Sequence, residues 1–456
     1  MYLKKMLIKN YRTLRDTEIA FNEHLNIVVG DNECGESSLL EAINLVISGQ
    51  INGRSIQNEL HPYLFNDEAV NEYINGLRAG QNPEPPKILI ELYLQDRPEF
   101  ARLVGTINSL KENSPGISLS IEFNEEFSKE YQEYIKNPND IRTIPIEYYK
   151  VVRHSFDYGN ITARSIPLKP ILIDASSIRH NFGANKYVVD IIKDILSSTH
   201  QAQLALSYRK MKDSFLEDDI VKAINSALGL KQGSISNKKL SVSLDTTAKA
   251  SWEAGVMPHL DDIPMPLVGK GEQSSVKIKL AIESSAEAHI YLIEEPENHL
   301  SFHNLNKLLK AISEQAVGKQ LIITTHSSFV MNKLGVENVL LFNGKTAITL
   351  NDLSAETKDY FLKLPGHDTL RLILSQRAIL VEGASDELIV QKAFIKHHKC
   401  RALEKDTDII SVNSLAFKRF LEIAHKLSIN TAVVLDNYGD FQSNYHLYDD
   451  FIDRDT

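Results

Sequence analysis

The sequence predicts an α/β protein of more than one domain, and three stretches carry that prediction. The apolar run Leu25–Val29 feeds the glycine-bearing stretch Gly30–Ser38, and helix formers follow to about Ile47. Two later runs, Ile290–Ile293 and Leu321–Ile323, are equally apolar and lead into Glu294-Glu295 and His326. A third pair, Ala378–Val381 and Thr431–Leu435, lies beyond the loop Lys363–His367 and ends in Glu382 and Asp436. Short continuous apolar runs of this kind are what the strands of a parallel sheet covered on both faces require.

Each element follows from local pattern. The opening reads as a β-meander of Leu3–Lys9, Thr17–Phe21 and Leu25–Val29. Gln81–Pro86 is a proline-rich loop, and Lys87–Leu94 and Ile117–Phe123 around it are β-rich and partly alternating. From about Val188 to Leu230 the period turns helical, with Ile191, Ile192, Ile195 and Leu196 on one face and Ile220, Ala223, Ile224, Ala227 and Leu228 on another. This reads as a helical insertion. Short strands are expected near Leu240–Leu244, then the motif-dense stretch Gly269–His326, then a second α/β unit from Ala378.

Bulk properties narrow the setting. At 456 residues with 43% hydrophobic content, two or three domains with substantial cores are expected. Two cysteines, Cys34 and Cys400, are too few for a disulfide framework and suit a reducing cytoplasm. The N-terminus lacks the apolar core of a signal peptide, and no run of 18 apolar residues offers a membrane span. A net charge of −10 argues against a generally basic nucleic-acid binder. Local patches such as Arg209–Lys212 and Lys396–Lys399 leave DNA contact open, although each alone reads as a solvated helix face.

The motifs carry the chemistry. Gly30–Ser37 fits the phosphate-binding loop G-x-x-x-x-G-K-[ST] at every defined position but one, because Glu36 stands where lysine belongs. Gly30 and Gly35 let backbone N–H groups curl around phosphate oxygens at a helix N-terminus. The expected nucleotide contacts are Asn32, Gly35, Glu36, Ser37 and Ser38, with the Ser37 hydroxyl on Mg²⁺. At the end of the acidic strand, Glu294 can hold the magnesium shell and Glu295 can orient or deprotonate an attacking water. The stretch Gly269-Lys270-Gly271-Glu272-Gln273 reads as a glycine turn opening a helix, a second anion cradle. His326 can reach a γ-phosphate from the neighbouring strand end.

The order loop, signature, acidic strand and histidine strand resembles ATP-binding cassette ATPases, in the branch shared by SMC/RecF-like proteins and OLD-family (overcoming-lysogenization-defect) nucleases. That resemblance implies two ATP sites sandwiched in a homodimer or higher oligomer, with Gly269, Gly271, Glu272 and Gln273 reaching the other subunit's nucleotide. It implies that the 232-residue step from Ser37 to Gly269 includes a helical dimerisation insertion. Asn10-Tyr11-Arg12 resembles the family's opening, whose basic residue, here Arg12, lies near the nucleotide. Gln95 is the candidate for the family's glutamine-bearing loop.

The later pair of strands resembles a Toprim domain. Parallel strands bring their carboxyl ends to one edge, so Glu382 and Asp436 can converge on Mg²⁺ or Mn²⁺. The family places a second aspartate two residues after the first. Here Tyr438 occupies that position and Asp440 follows, while Asp386 matches the acid after the Glu-Gly turn. Catalytic and metal-ligating expectations therefore fall on Glu382, Asp386, Asp436 and Asp440. Such a Toprim usually continues further, so an incomplete domain is expected.

The expected architecture is an ABC-type ATPase N-terminal part at 1–175, a helical dimerisation insertion at 176–238, the ATPase C-terminal part at 239–360 and a Toprim domain at 372–456. The resemblance implies an ATP-regulated, metal-dependent DNA endonuclease of bacterial antiphage defence, working beside partner proteins as in Gabija or with a reverse transcriptase and its RNA–DNA product as in retrons. Glu36 predicts poor ATP use. A unit charge pair at 4 Å is worth about 4 kcal/mol at an effective dielectric near 20, so reversing its sign puts roughly 8 kcal/mol at stake before screening. Two other readings stand beside this one: a catalytically inactive ATPase-fold scaffold, and an SMC/RecF-like DNA-repair ATPase.

Overall fold

The first twenty residues open an antiparallel layer in the computed structural model. β1 (Leu3–Tyr11) pairs with β2 (Leu14–Ala20), where buried Thr17 and Ile19 alternate with exposed Asp16, Glu18 and Ala20. β3 (Leu25–Gly30) leaves that layer and enters a second sheet. β4 (Ile88–Leu94) pairs with β1, β5 (Ser114–Phe123) with β4, and β6 (Tyr149–Ser155) with β5, all antiparallel. The structure describes residues 1–30, 34–51, 53–162, 165–174, 189, 192–193, 196–230, 238, 240–245, 247, 251–284, 288–315, 317–342, 347–350, 353–363, 369–412, 416–436, 439, 446 and 448–451.

The second sheet runs β7 (Pro170–Asp174), β8 (Ile290–Glu294), β9 (Gln320–Thr324), β3, β10 (Val339–Phe342), all parallel, with β11 (Ala347–Thr349) closing a hairpin on β10. The middle strands β8, β9 and β3 are buried along nearly their whole length, as their uninterrupted apolar sequences demand. Between the two sheets lies α1 (Glu36–Ser48). Its Leu39, Leu40, Ile43 and Val46 share one core with Ile8, Leu92 and Leu119 of the first sheet and with Val28, Leu292 and Ile322 of the second. Gly49 ends the helix with a left-handed φ of 73° and donates to the Leu45 carbonyl. α1 has no basic residue in its last turn, and Arg153 of β6 supplies one, donating to the carbonyls of Val46 and Ile47 at 2.8 and 2.9 Å.

By contacts, the chain divides into Met1–Asp174 with Glu287–Glu297 and Leu305–Thr456, and a second unit of Ala175–Ala286 with Asn298–Asn304. The second unit holds α2 (Ser198–Glu217) and α3 (Asp219–Gly229). Ser197 caps α2, accepting from the His200 N–H, and Asp218 caps α3, accepting from the Ile220 and Val221 N–H groups. Both helices fall within the 176–238 stretch read as helical, of which much of 176–198 lies outside the described residues. The strands expected near Leu240–Leu244 do not form. The Asn225 side chain of α3 instead bonds the backbone N–H and C=O of Val242, taking the place of a neighbouring strand. The signature, expected with the part at 239–360, belongs to this unit. It is not a turn before a helix: α4 (Lys270–Ser284) begins at Lys270 and contains Gly271, Glu272 and Gln273.

The first unit continues through α5 (Phe302–Gln315), most of which it includes, then α6 (Ser328–Leu334), α7 (Ala355–Lys363) and α8 (Thr369–Leu374) into a third sheet. That sheet is β13 (Thr407–Ser411), β12 (Arg377–Val381), β14 (Asn430–Val434), all parallel, with α9 (Ala384–His398) after β12 and α10 (Phe417–Lys426) after β13. The parts expected as separate domains at 239–360 and 372–456 share a core here. Ile27, Val29 and Val339 of the second sheet belong to one cluster with Phe361, Leu372, Leu380, Ile410 and Phe420. Phe420 is fully buried and meets the Phe361 ring edge-on at 5.2 Å. Phe420→Ala should cost about 3–5 kcal/mol, read as a lowered denaturation midpoint in which the second and third sheets melt together.

Candidate functional site

The parallel second sheet gathers its chemistry at one edge. Glu294 is level with Thr324 of β9, Thr324 with Val28 of β3, and Gly30 with Phe342 of β10, so the carboxyl ends of four strands meet where α1 begins. Gly35 opens α1 with φ 102°, and a Cβ there would lie 2.5 Å from the Thr13 hydroxyl. Gly30 is required for a different reason: a Cβ would lie 2.7 Å from the Phe342 carbonyl. Ser37, exposed on the first turn of α1, donates its hydroxyl to Glu294 at the end of β8. The two groups expected to share a magnesium ion are therefore in direct contact. A hydroxyl and a carboxylate are the hard oxygen donors that such an ion takes.

Glu36 places a carboxylate at the lysine position of the loop pattern. Its side chain is buried and turned toward the loop, with Oε1 3.3 Å from where a Cβ on Gly30 would stand. Its Oε2 lies 3.6 Å from His326 Nε2, and Oε1 of Glu295 lies 3.7 Å from the same nitrogen. The histidine expected to face a γ-phosphate thus stands between two carboxylates. Glu295 has a left-handed backbone, φ 41°, and its N–H continues the ladder to the Thr324 carbonyl at 3.0 Å. Ser38, the next residue of the helix, is buried. Asn32 lies outside the described residues.

One residue at this edge escaped sequence reasoning. Glu297 Oε1 accepts from the Thr325 hydroxyl at 2.7 Å and from the His326 N–H at 2.9 Å, pinning the histidine strand's exit to the acidic turn. Its Oε2 is buried with no hydrogen-bond partner among the described residues. Desolvation accordingly raises its carboxyl above the ordinary 4.5, against the pull of those two donors. The signal was present in Glu295-Pro296-Glu297, where a rigid proline returns a second acid toward the sheet.

Arg12 lies against α1. It has φ 49° and pairs at 2.7 Å with Glu41 of α1, which also accepts from the Tyr11 hydroxyl. It therefore braces the helix behind the loop. Gln95 is at the wrong end. Its N–H donates to Tyr2, beside Leu3, and Leu3 bonds Gln320 at the start of β9, the edge opposite the loop. In the second unit, Gly271 permits close approach, since a Cβ would lie 2.4 Å from the His299 carbonyl. Gln273 is buried, its amide donating to the Val268 carbonyl at 2.7 Å, whereas Gly269 and Glu272 are exposed.

In the third sheet, Val381 of β12 is level with Val434 of β14, so Glu382 and Asp436 leave adjacent strands at the same edge. Glu382 is half-buried and Asp436 exposed. Asp386 has a structural duty: its Oδ2 accepts from the Gly383 N–H at 3.0 Å and caps α9. Tyr438 and Asp440 lie outside the described residues. Among the described residues, no group of three or more His, Cys, Asp or Glu is placed to hold a metal ion, and no helix is long and apolar enough to cross a membrane.

Residues 1–331 match the family described as AAA ATPase domain, and residues 373–437 match the Toprim domain of overcoming-lysogenization-defect-like proteins. The chain belongs to the OLD-family ATPase–Toprim proteins. Curated relatives of this OLD-family chain include the DNA replication and repair protein RecF of Clostridium beijerinckii, 23% identical over 380 residues, covering 77% of this chain and 99% of that protein. RecF of Streptococcus pneumoniae serotype 4 is 25% identical over 394 residues, covering 77% and 100%. Similar solved structures include an SMC head bound to the C-winged helix domain of ScpA, at 12% identity, 78% and 99% coverage and a TM-score of 0.39. RecF with ATP is another, at 12% identity, 76% and 99% coverage and a TM-score of 0.37.

The Glu297 carboxyl binds a proton more tightly in the folded chain than in the unfolded one. Its contribution to stability is therefore full below about pH 4.5 and is lost as pH rises through the raised folded value. Glu297→Gln keeps the acceptor oxygen and removes the titration. Thermal melts should show the variant gaining on the unaltered chain as pH rises above the ordinary carboxylate range of about 4.5; parallel pH profiles would refute this.

Proposed function

We propose that this chain is a nucleotide-regulated, divalent-metal-dependent DNA endonuclease of the OLD kind, serving antiphage defence, and that Glu36 impairs its use of ATP. The observation that carries the nuclease reading is the register of β12 and β14, which sends Glu382 and Asp436 from neighbouring strand ends of an OLD-like Toprim domain. Glu382 and Asp436 would hold the cation, with Asp440 as a further oxygen donor. A divalent cation held there would polarise a phosphodiester and lower the pKa of a bound water. The capped start of α9 holds Glu382 at its strand end, and Asp386 acts through that cap.

At the other edge, Ser37 and Glu294 would hold the magnesium of a bound nucleotide, and Glu295 would orient water. The defence role, a second copy of the chain across the nucleotide, and a protein or reverse-transcriptase partner follow from the family resemblance. Plasmid nicking in Mg²⁺ or Mn²⁺ tests the reading: activity should be abolished by Glu382→Gln, and nicking that survives this change would sink it.

Glu36 supports a second reading, a scaffold that has lost both chemistries, because its carboxylate fills the space beside Gly30 and faces His326. Calorimetric titration separates these readings at the nucleotide step. Removing one buried like charge and restoring attraction should raise ATP affinity by at least about 100-fold in Glu36→Lys, a discounted share of the charge energy. A Glu36→Lys, Tyr438→Asp double variant that still fails to nick would favour the scaffold.

A further inference from the structure

The cleavage site proposed above lies at the carboxyl edge of the third sheet, which is acidic. The amino edge of the same sheet is basic. α9 returns from the carboxyl edge, so its C-terminal turn ends beside the starts of β12 and β13. Between Lys392 and Asp406 the chain carries five basic and two acidic residues, a net of +3 in a protein of net −10. The exposed cations are Lys392, Lys396, Lys399, Arg401 and Lys405, joined at the same edge by Arg377 at the start of β12.

These side chains come from three separate elements. Lys392 and Lys396 belong to α9, Arg401 and Lys405 to the turn around Ala402–Lys405, and Arg377 to β12. That turn is seated on the sheet through buried Ala402, which packs with Val381 and Ile409. Lys405 Nζ comes within 3.2 Å of His398 Nδ1, and the rings of His397 and His398 meet at 4.6 Å. Desolvation, then the neighbouring Lys405 and His397, hold His398 below its ordinary value, as a positive field would.

Two ordinary explanations fall short. Cations in the last turn of a helix offset its dipole, which accounts for Lys396 but not for Arg377, Arg401 or Lys405 on other elements. Internal ion pairing does not account for them either. The ion pairs of this region go to other cations, Arg371 with Glu387 and Asp408, and Arg419 with Glu356. Among the described residues, none of the six edge cations pairs with a carboxylate. Crowding like charges costs stability, and a polyanion repays that cost.

We propose that this amino-edge patch binds the phosphate backbone of duplex DNA and anchors it at a fixed offset from the cut. The proposal rests on the nuclease reading above. α9 has 15 residues, so its C-terminal end, at the far side of the patch, lies about 22 Å from the Glu382 edge at 1.5 Å per residue. A duplex lying alongside α9 would span that distance in about six to seven base pairs at 3.4 Å each. Phosphates give position without sequence, as such an anchor requires.

The test is fluorescence anisotropy of a labelled 30-base-pair duplex (roughly three helical turns) with the full chain in EDTA and without nucleotide. Charge reversal by Lys396→Glu, Arg401→Glu and Lys405→Glu together should weaken binding at least tenfold at physiological salt. It should also reduce the log–log salt slope by about 3, one for each phosphate no longer neutralised. Lys396→Arg, Arg401→Lys and Lys405→Arg together should bind as the unaltered chain does. Unchanged affinity and slope in a charge-reversed chain of unaltered melting behaviour would overturn the proposal, and would be the outcome if the patch served RNA or an acidic protein instead. Should the triple variant misfold, the single Lys396→Gln and Lys405→Gln changes must each lower the slope by about one, or the proposal falls. Failure of the nuclease reading looks different: binding that disappears on charge reversal, with no nicking by any form, keeps the anchor and removes the scissors. No duplex binding by the unaltered chain removes both.

Discussion

The burial of α1 between two sheets is the constraint on which the rest of this molecule depends. A helix apolar on nearly all sides has nowhere to go but between two apolar layers. Once it is there, its N-terminus is fixed at the carboxyl edge of the parallel sheet, and Gly30 and Gly35 must make the turn that feeds it. Everything at the candidate nucleotide site is placed by that one packing decision. Ser37 meets Glu294 because the first turn of α1 is held over β8, and Arg12 meets Glu41 because β1 ends beside the helix.

Electrostatics works within this frame without altering it. A carboxylate in the first turn of a helix suits the helix dipole, so Glu36 is compatible with the fold. The same replacement changes what His326 sees. His326 has Glu36 on one side and Glu295 on the other. Glu297 holds the strand exit beneath it. The departure from the loop pattern is therefore local chemistry on an intact scaffold.

The third sheet is attached to that scaffold through shared core and polar bonds. Asn332, in the second turn of α6, accepts from the Thr369 hydroxyl of α8 at 2.6 Å, and both residues are fully buried. Two positions on, Arg371 reaches Asp408 of β13 at 3.0 Å. A buried neutral hydrogen bond is costly to leave unmade, so α6 and α8 are held in one arrangement. The element following His326 and the sheet bearing Glu382 are parts of one packed body.

Much of this was legible in the sequence, for a reason that varies from part to part. Strands buried on both faces announce themselves as continuous apolar runs, and β3, β8, β9 and β12 all lie within a residue or two of where those runs begin. The loop, the acidic strand and the histidine strand were legible because their chemistry depends on neighbours in the chain. The Leu240–Leu244 strands were not, since an alternating segment needs a partner strand and Asn225 took that role. Glu297 and Arg153 were missed because their partners, Thr325, His326 and the end of α1, are remote in sequence. The linear order of residues thus determined which elements form and which edge of each sheet bears acids, because these follow from local periodicity and from the direction of a parallel strand. Only the tertiary structure decided that Glu36 faces His326, that the Toprim sheet shares a core with the ATPase sheet, and that cations from three elements meet at one edge. Each of those depends on distances across the fold, which no local pattern encodes.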